Sequence, residues 1–118
     1  MNPRQTLIRN VKVRMSMLGI NCCDIADLLN ISKQAVHDRY TNKNINTNNL
    51  RWLGTTLAVP MVALTDPDPT RIGSVPLPAE GWFPQARRLI KEGRPYPDFK
   101  TVKGVYKIPN FNSWEIGV

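Results

Sequence analysis

The chain has 118 residues, of which 42% are hydrophobic, so it can bury the core of one compact domain and carry an extension. Its 16 basic and 9 acidic residues give a net charge of +7, which favours a polyanionic partner, either nucleic acid or an anionic membrane surface. The two cysteines, Cys22 and Cys23, are adjacent, so the composition supports neither a disulfide framework nor a zinc site, and no apolar run approaches membrane-spanning length.

The positive charge is concentrated in the first half of the chain. Residues 1–65 contain eight basic and three acidic side chains, a net charge of +5, whereas residues 66–118 contain eight and six, a net charge of +2. We therefore expect the anion-binding surface to lie in the first half.

Residues 5–19 form the first predicted helix. Four apolar residues recur at spacings of four, four and three, which places them on one helical face. They are Leu7, Val11, Met15 and Leu18. Gly19 is suited to end the helix, because glycine readily adopts the left-handed backbone of a helix C-terminus.

Two short helices are predicted next, separated by three residues. Asn21 is suited to cap the first of them, over residues 22–29, and Ser32 the second, over residues 33–40. Asn30 lies between them and tolerates a left-handed backbone better than most residues. The sequence therefore predicts a helix, a tight turn and a second helix.

A polar, asparagine-rich loop is predicted over residues 41–49. Thr47 or Asn48 is expected to cap a fourth helix at the end of this loop. The apolar face of that helix consists of Leu50, Leu53 and Leu57. A short fifth helix is predicted over residues 59–64.

The composition changes at Asp66, where a proline-rich stretch begins and continues to Pro78. Proline lacks a backbone donor and disfavours helix before it, so this stretch predicts a linker or an extended arm. The chain is accordingly divided into a helix-turn-helix domain over residues 1–65, a linker over residues 66–80 and a small C-terminal unit over residues 81–118.

The C-terminal unit is predicted to combine a helix with a β-hairpin and to serve in dimerisation or in an accessory DNA contact. The helix covers residues 84–92, with Gly93 as its C-cap. A two-residue turn at 103–104 joins strands over residues 99–102 and 105–108. The aromatic residues of the unit predict a homodimer contact or packing onto the first domain, and they are Trp82, Phe83, Phe111 and Trp114.

Residues 22–41 carry the strongest functional signal. Two helices that cross steeply need a small residue at the crossing, and Ala26 meets that need. Asn30 can supply the positive φ of the turn. The apolar residues that fix the crossing are Ile25, Leu29, Ile31 and Val36. The polar residues on the outer face of the second helix are Lys33, Gln34, His37 and Asp38.

This segment resembles the helix-turn-helix of the lambda-repressor and Cro superfamily, the XRE-type phage regulators. The run from Ile31 to Val36 is similar to the start of many recognition helices in that family, and the five helices predicted over residues 5–64 fit its domain. Asn30 replaces the usual glycine, and Arg39 stands where an apolar residue is common. The resemblance implies a mainly α fold: a five-helix lambda-repressor-like DNA-binding domain, followed by a small α+β extension with a β-hairpin.

The resemblance also implies which residues meet DNA. The recognition helix enters the major groove with its N-terminus first, and the side chains that then face the bases are Ser32, Lys33, Gln34 and His37. Gln34 can read adenine through a bidentate contact, and Lys33 can read guanine or hold a phosphate. Asp38 either accepts a hydrogen bond from cytosine or tunes the register. The loop residues that approach the phosphates are Asn42, Lys43 and Asn44.

The C-terminal half carries a weaker resemblance to phage excisionases and Cox-type regulators. A basic helix and a Gly-x-Pro exit over residues 87–97 precede a short basic hairpin that ends at residues 105–109. This order implies that the second half also touches DNA.

Three functions are compatible with the sequence. The first is a transcriptional regulator, a phage-type repressor or Cro-like switch protein that binds a palindromic operator as a dimer. The second is a recombination directionality factor that binds and bends DNA. The third is an antirepressor-like interaction module that has kept the fold without binding DNA. The donors on the reading face argue against the third function, and they are Lys33, Gln34 and Lys43.

Enzyme activity is not expected, because the sequence has no paired carboxylates in context, no nucleophile with a base and no phosphate loop. We expect no cofactor, metal or small-molecule substrate, and no membrane association. The expected partners are double-stranded DNA and a second copy of the chain. The reduced thiols of Cys22 and Cys23 suit the cytoplasm of a bacterial or phage-infected cell.

Overall fold

The computed structural model describes residues 2–42, 44–78 and 82–94. Within these ranges the chain is mainly helical and contains no strand. The predicted hairpin over residues 99–108 lies outside the described residues, as do Lys43, Phe111 and Trp114. The seven helices of the described ranges are α1 (Pro3–Leu18), α2 (Cys22–Leu29), α3 (Lys33–Thr41), α4 (Thr47–Leu57), α5 (Met61–Thr65), α6 (Pro69–Gly73) and α7 (Trp82–Lys91).

Helix α1 begins two residues earlier than its apolar pattern predicted. The Asn2 side chain accepts a hydrogen bond from the Gln5 amide at 2.8 Å, and the Gln5 side chain accepts one from the Asn2 amide at 3.0 Å. This reciprocal capping satisfies two donors that a helix start leaves open, and Pro3 fits the first helical position. Gly19, at φ 67°, ends the helix as predicted.

The predicted α2, turn and α3 are confirmed. Asn21 caps α2 through its bond from the Asp24 amide, and Ser32 caps α3 through its bond from the Ala35 amide, both at 3.0 Å. Asn30 adopts the left-handed conformation, with φ 57° and ψ 48°. The three-residue turn is therefore defined by the Ser32 cap and by the left-handed Asn30, both of which are local to the turn.

Asn30 gives a first test of this turn. A Cβ in the left-handed region is costly for most L-residues, so Asn30→Ala should destabilise the fold by about 1 kcal/mol, whereas Asn30→Gly should leave stability unchanged or slightly raised. Thermal unfolding followed by circular dichroism measures both variants. Equal losses in the two variants would contradict a left-handed residue at this position.

The predicted N-cap of α4 is wrong, because the residue that caps the helix lies one or two positions earlier in the chain. Asn46, rather than Thr47 or Asn48, accepts the hydrogen bond from the Asn49 amide at 2.8 Å. Three asparagines and a threonine stand together here, and each has a side chain that can cap a helix, so the residue type alone does not select among them. The fifth helix also begins later than predicted, at Met61, because Pro60 is its N-cap.

The proline-rich stretch over residues 66–78 is not the extended linker that its composition predicted. It contains α6, in which Pro69 occupies the first turn, where its missing N–H is not needed. The Asp68 carboxylate accepts from the Thr70 amide at 3.0 Å, and this bond holds the pKa of Asp68 below its usual value. Ile72 and Val75 are buried, so the stretch belongs to the core.

Two polar side chains of α1 fix this stretch onto the domain. Arg14 is fully buried and donates to four carbonyl oxygens at 2.8–3.0 Å. These are the carbonyls of Leu57, Ala58, Val75 and Pro76. Asn10, also buried, donates to the Leu64 and Asp66 carbonyls at 2.8 and 3.0 Å. The ends of α4 and α5 and the segment after α6 are thereby joined to one helix.

Helix α7 packs against α2 and α4 and shares their hydrophobic core. It begins at Trp82, two residues earlier than predicted, and Gly93, at φ 74°, follows its end as expected. Trp82 is 2% exposed, and Phe83 is half-buried against the same core. Of the two outcomes predicted for these aromatic residues, the described part of the chain shows packing onto the preceding helices.

No helix in the described ranges combines the length and the apolar character that crossing a membrane requires.

Candidate nucleic-acid interface

Helix α3 has one face packed against the core and one face exposed to solvent. Val36 and Tyr40 are 1% and 3% exposed and belong to the core. The four residues predicted to face the bases are exposed, as is Asp38; the four are Ser32, Lys33, Gln34 and His37. The packing of α3 thus leaves the side chains of its N-terminal half open to solvent.

Gln34 and Asp38 form a pair one helical turn apart. The Gln34 Nε2 donates to the Asp38 carboxylate at 2.8 Å. A glutamine amide nitrogen carries two hydrogens, so one hydrogen and the Oε1 acceptor stay available beside this bond. These two groups are the ones that a bidentate contact with adenine uses. The pair therefore holds the Gln34 amide and leaves one of its hydrogens and its Oε1 acceptor for a partner.

His37 and Ser32 have partners within α3. The Thr41 hydroxyl donates to the His37 carbonyl at 2.9 Å and lies 3.4 Å from the His37 Nδ1. The imidazole meets the Tyr40 ring edge-on, at 5.3 Å between centroids. The Ser32 oxygen accepts the capping bond, which leaves its hydroxyl proton and its second lone pair for an outside partner.

The start of α1 supports the C-terminal end of α3. Arg4 donates to the Thr41 carbonyl through Nε at 3.1 Å and Nη2 at 2.8 Å. This contact satisfies a carbonyl that the helix end leaves open and places a cation at the negative end of the helix dipole. The role of Arg4 could not be predicted from the sequence, because its partner lies 37 residues away.

The loop after α3 is exposed at both predicted phosphate contacts that the structure describes. Asn42 and Asn44 have exposed side chains, and the Asn42 Oδ1 accepts from the Asn44 amide at 3.4 Å. Lys43, predicted between them, lies outside the described residues. Both side-chain amide groups are therefore accessible to solvent.

Arg39 packs against α4. Its guanidinium lies 4.9 Å from the centre of the Trp52 ring, and Nη1 donates to the Asn49 Oδ1 at 3.2 Å. A flat cation stacked on an aromatic ring can replace an apolar contact. Arg39 therefore positions α3 and is not part of the exposed reading face.

A third contact joins the end of α3 to the start of α2. The Cys22 Sγ lies 3.1 Å from the Tyr40 hydroxyl. Burial, and then this bond and the neighbouring thiol, raise the pKa of Tyr40 far above its ordinary value, so the phenol stays protonated at neutral pH. With Arg4 and Arg39, this contact fixes the orientation of α3 against three other helices.

The described residues contain no cluster of three histidine, cysteine, aspartate or glutamate side chains that could hold a metal ion. Comparison of the chain with protein-family models, with curated proteins and with solved structures finds no match.

Proposed function

We propose that the chain is a sequence-specific DNA-binding transcriptional regulator that reads the major groove with the N-terminal half of α3. The proposal rests mainly on the exposed face of α3, which is rich in hydrogen-bond donors. The opposite face of α3 is buried, and contacts from α1, α2 and α4 hold the helix in place. In this proposal α1 to α5 form a lambda-repressor-like domain. The regulator is of the phage repressor or Cro type and acts as a dimer on an operator in the cytoplasm.

The arrangement suits base reading because the contacting side chains are ordered before DNA arrives. Gln34 is held by Asp38 in a defined orientation, and binding then costs less side-chain entropy than ordering a free glutamine would. In this arrangement Asp38 orients Gln34 and does not read cytosine. Lys33, one residue earlier, supplies a cation that can meet guanine or a phosphate.

Electrostatics supports the same partner. Arg4 and Arg39 lie at the C-terminal end of α3 and Lys33 at its start, and the residues up to 65 carry a net charge of +5. A field of this sign attracts duplex DNA and releases counterions when phosphates are neutralised. The exposed amides of Asn42 and Asn44 add uncharged phosphate contacts that set the register.

Selection of bound duplexes from a random-sequence pool tests the proposal. The expected result is enrichment of one sequence whose two inverted half-sites are about one helical turn apart. Enriched direct repeats would favour the recombination directionality factor instead. Binding without any enrichment would contradict sequence-specific reading, and failure to bind duplexes at low salt would favour the antirepressor-like module.

Replacing Gln34 gives the residue-level prediction. Gln34→Ala should weaken binding to the enriched duplex by about 1–3 kcal/mol and leave binding to random duplexes nearly unchanged. Equilibrium titration of both duplexes at one salt concentration measures the two effects. Equal weakening on both duplexes would contradict a base-reading role for Gln34.

Asp38→Asn is the matched control, because it keeps the size and the acceptor of the side chain while removing one negative charge. If Asp38 only orients Gln34, this variant should bind both duplexes more tightly, since a charge that repels phosphates is gone. Loss of preference at a single cytosine would instead assign Asp38 a direct contact with that base.

A further inference from the structure

Helix α7 exposes a row of basic side chains opposite its packed face. The packed residues recur at spacings of four and three and are buried: Trp82, Ala86 and Leu89. The exposed basic residues, which we call the α7 basic row, are Arg87, Arg88 and Lys91. The helix thus has one apolar side inside the core and one cationic side in solvent.

The charges of the α7 basic row are not balanced within α7. The one carboxylate between residues 82 and 94 is Glu92, which forms an ion pair with Arg94 at 2.5 Å. The hydrogen bond from Arg94 lowers the pKa of Glu92, and the positive charges of Arg94 and Arg88 add to that effect. Arg87 and Lys91 are four residues apart, a spacing at which like charges repel. A polyanion would relieve this repulsion.

The α7 basic row is connected to α3 through the shared core. Trp82 anchors α7 in the core shared with α2 and α4, and both of these helices also contact α3. Four residues of helix rise about 6 Å, so Arg87 and Lys91 present two neighbouring cations about one turn apart on the exposed side of α7.

We propose that the α7 basic row is a second DNA contact, which binds the phosphate backbone outside the bases read by α3. This inference rests on the proposed function. An anionic membrane surface is the less favoured partner, because membrane-surface helices insert an apolar face into the lipid. In α7 that face is already buried in the protein core.

Salt dependence of binding to a random-sequence duplex tests the α7 basic row. The triple variant R87Q/R88Q/K91Q should lower the slope of log affinity against log salt by about two to three, because each phosphate contact contributes about 0.9. Its preference for the enriched duplex over the random one should be unchanged. Thermal unfolding of the variant checks that the fold is retained.

Two lysines provide a matched control. Lys91→Gln should lower the slope by about 0.9, whereas Lys12→Gln, at an exposed position on α1, should leave it unchanged. Equal reductions in both variants would show a bulk charge effect and overturn the proposal. Loss of binding to phosphatidylserine vesicles with an unchanged DNA slope would assign the row to membranes and would also overturn it.

The two proposals fail in different ways. If the triple variant keeps the wild-type slope while Gln34→Ala loses its preference for the enriched duplex, the α7 contact is wrong and the function of α3 stands. If the triple variant loses slope but the wild-type chain prefers no sequence, the phosphate contact stands and sequence-specific regulation is wrong.

Discussion

Arg14→Met should destabilise the fold by more than about 3 kcal/mol. A buried acceptor that loses its donor costs about 1–3 kcal/mol, and this change removes the donors to four carbonyls at once. Methionine fills a similar volume without donating, so the effect is not that of a simple cavity. Since small domains are stable by only about 5–15 kcal/mol, the variant should be close to unfolding.

Urea unfolding followed by tryptophan fluorescence measures the loss from Arg14→Met. The control is Lys12→Met, two residues earlier on the same helix but exposed, which should change stability by no more than about 0.5 kcal/mol. Arg14→Lys should fall between the two variants, because lysine keeps a donor but cannot span four carbonyls. A loss below 1 kcal/mol in Arg14→Met would contradict its role in joining the segments.

Trp82→Ala should destabilise the whole domain by about 3–5 kcal/mol, the range for truncating a buried aromatic residue. Trp82 lies in the core that α7 shares with α2 and α4, so the loss should affect the α3 region as well. Circular dichroism and fluorescence should report a single transition at lower denaturant concentration.

Leu77→Ala is the control for the Trp82 prediction, because Leu77 is 45% exposed and its truncation should have a small effect. Two separate transitions in Trp82→Ala, with the first confined to part of the helical signal, would show that α7 unfolds independently. That result would contradict the claim that α7 unfolds cooperatively with the other helices. It would support the predicted division into separate units over residues 1–65 and 81–118.

The segment from α2 to α3 could be predicted from the sequence because its determinants are local. The capping side chains of Asn21 and Ser32 each accept a hydrogen bond from the amide three residues later. The left-handed conformation of Asn30 depends only on the backbone angles of that residue. The Gln34–Asp38 hydrogen bond could also be predicted from the sequence, since residues four apart lie on the same helix face. The exposed positions on α3 follow from that same periodicity.

The integration of the later segments could not be predicted, because it depends on distant contacts. Arg14 reads as an ordinary surface cation of an amphipathic helix, yet its acceptors lie 43 to 62 residues away. The prolines around α6 predict extended backbone, although Pro69 is compatible with a first helical turn. The placement of Arg39 on Trp52 likewise requires knowledge of how α3 and α4 pack.

The most direct test of the central claim is an amide-resolved NMR titration of the chain with its enriched duplex. The account predicts that the largest shift changes occur at the start of α3, at the backbone amides of Lys33 and Gln34 and at the side-chain amide of Gln34. Smaller changes are expected along the α7 basic row. Saturable shifts on other surfaces, with the start of α3 unaffected, would contradict the account.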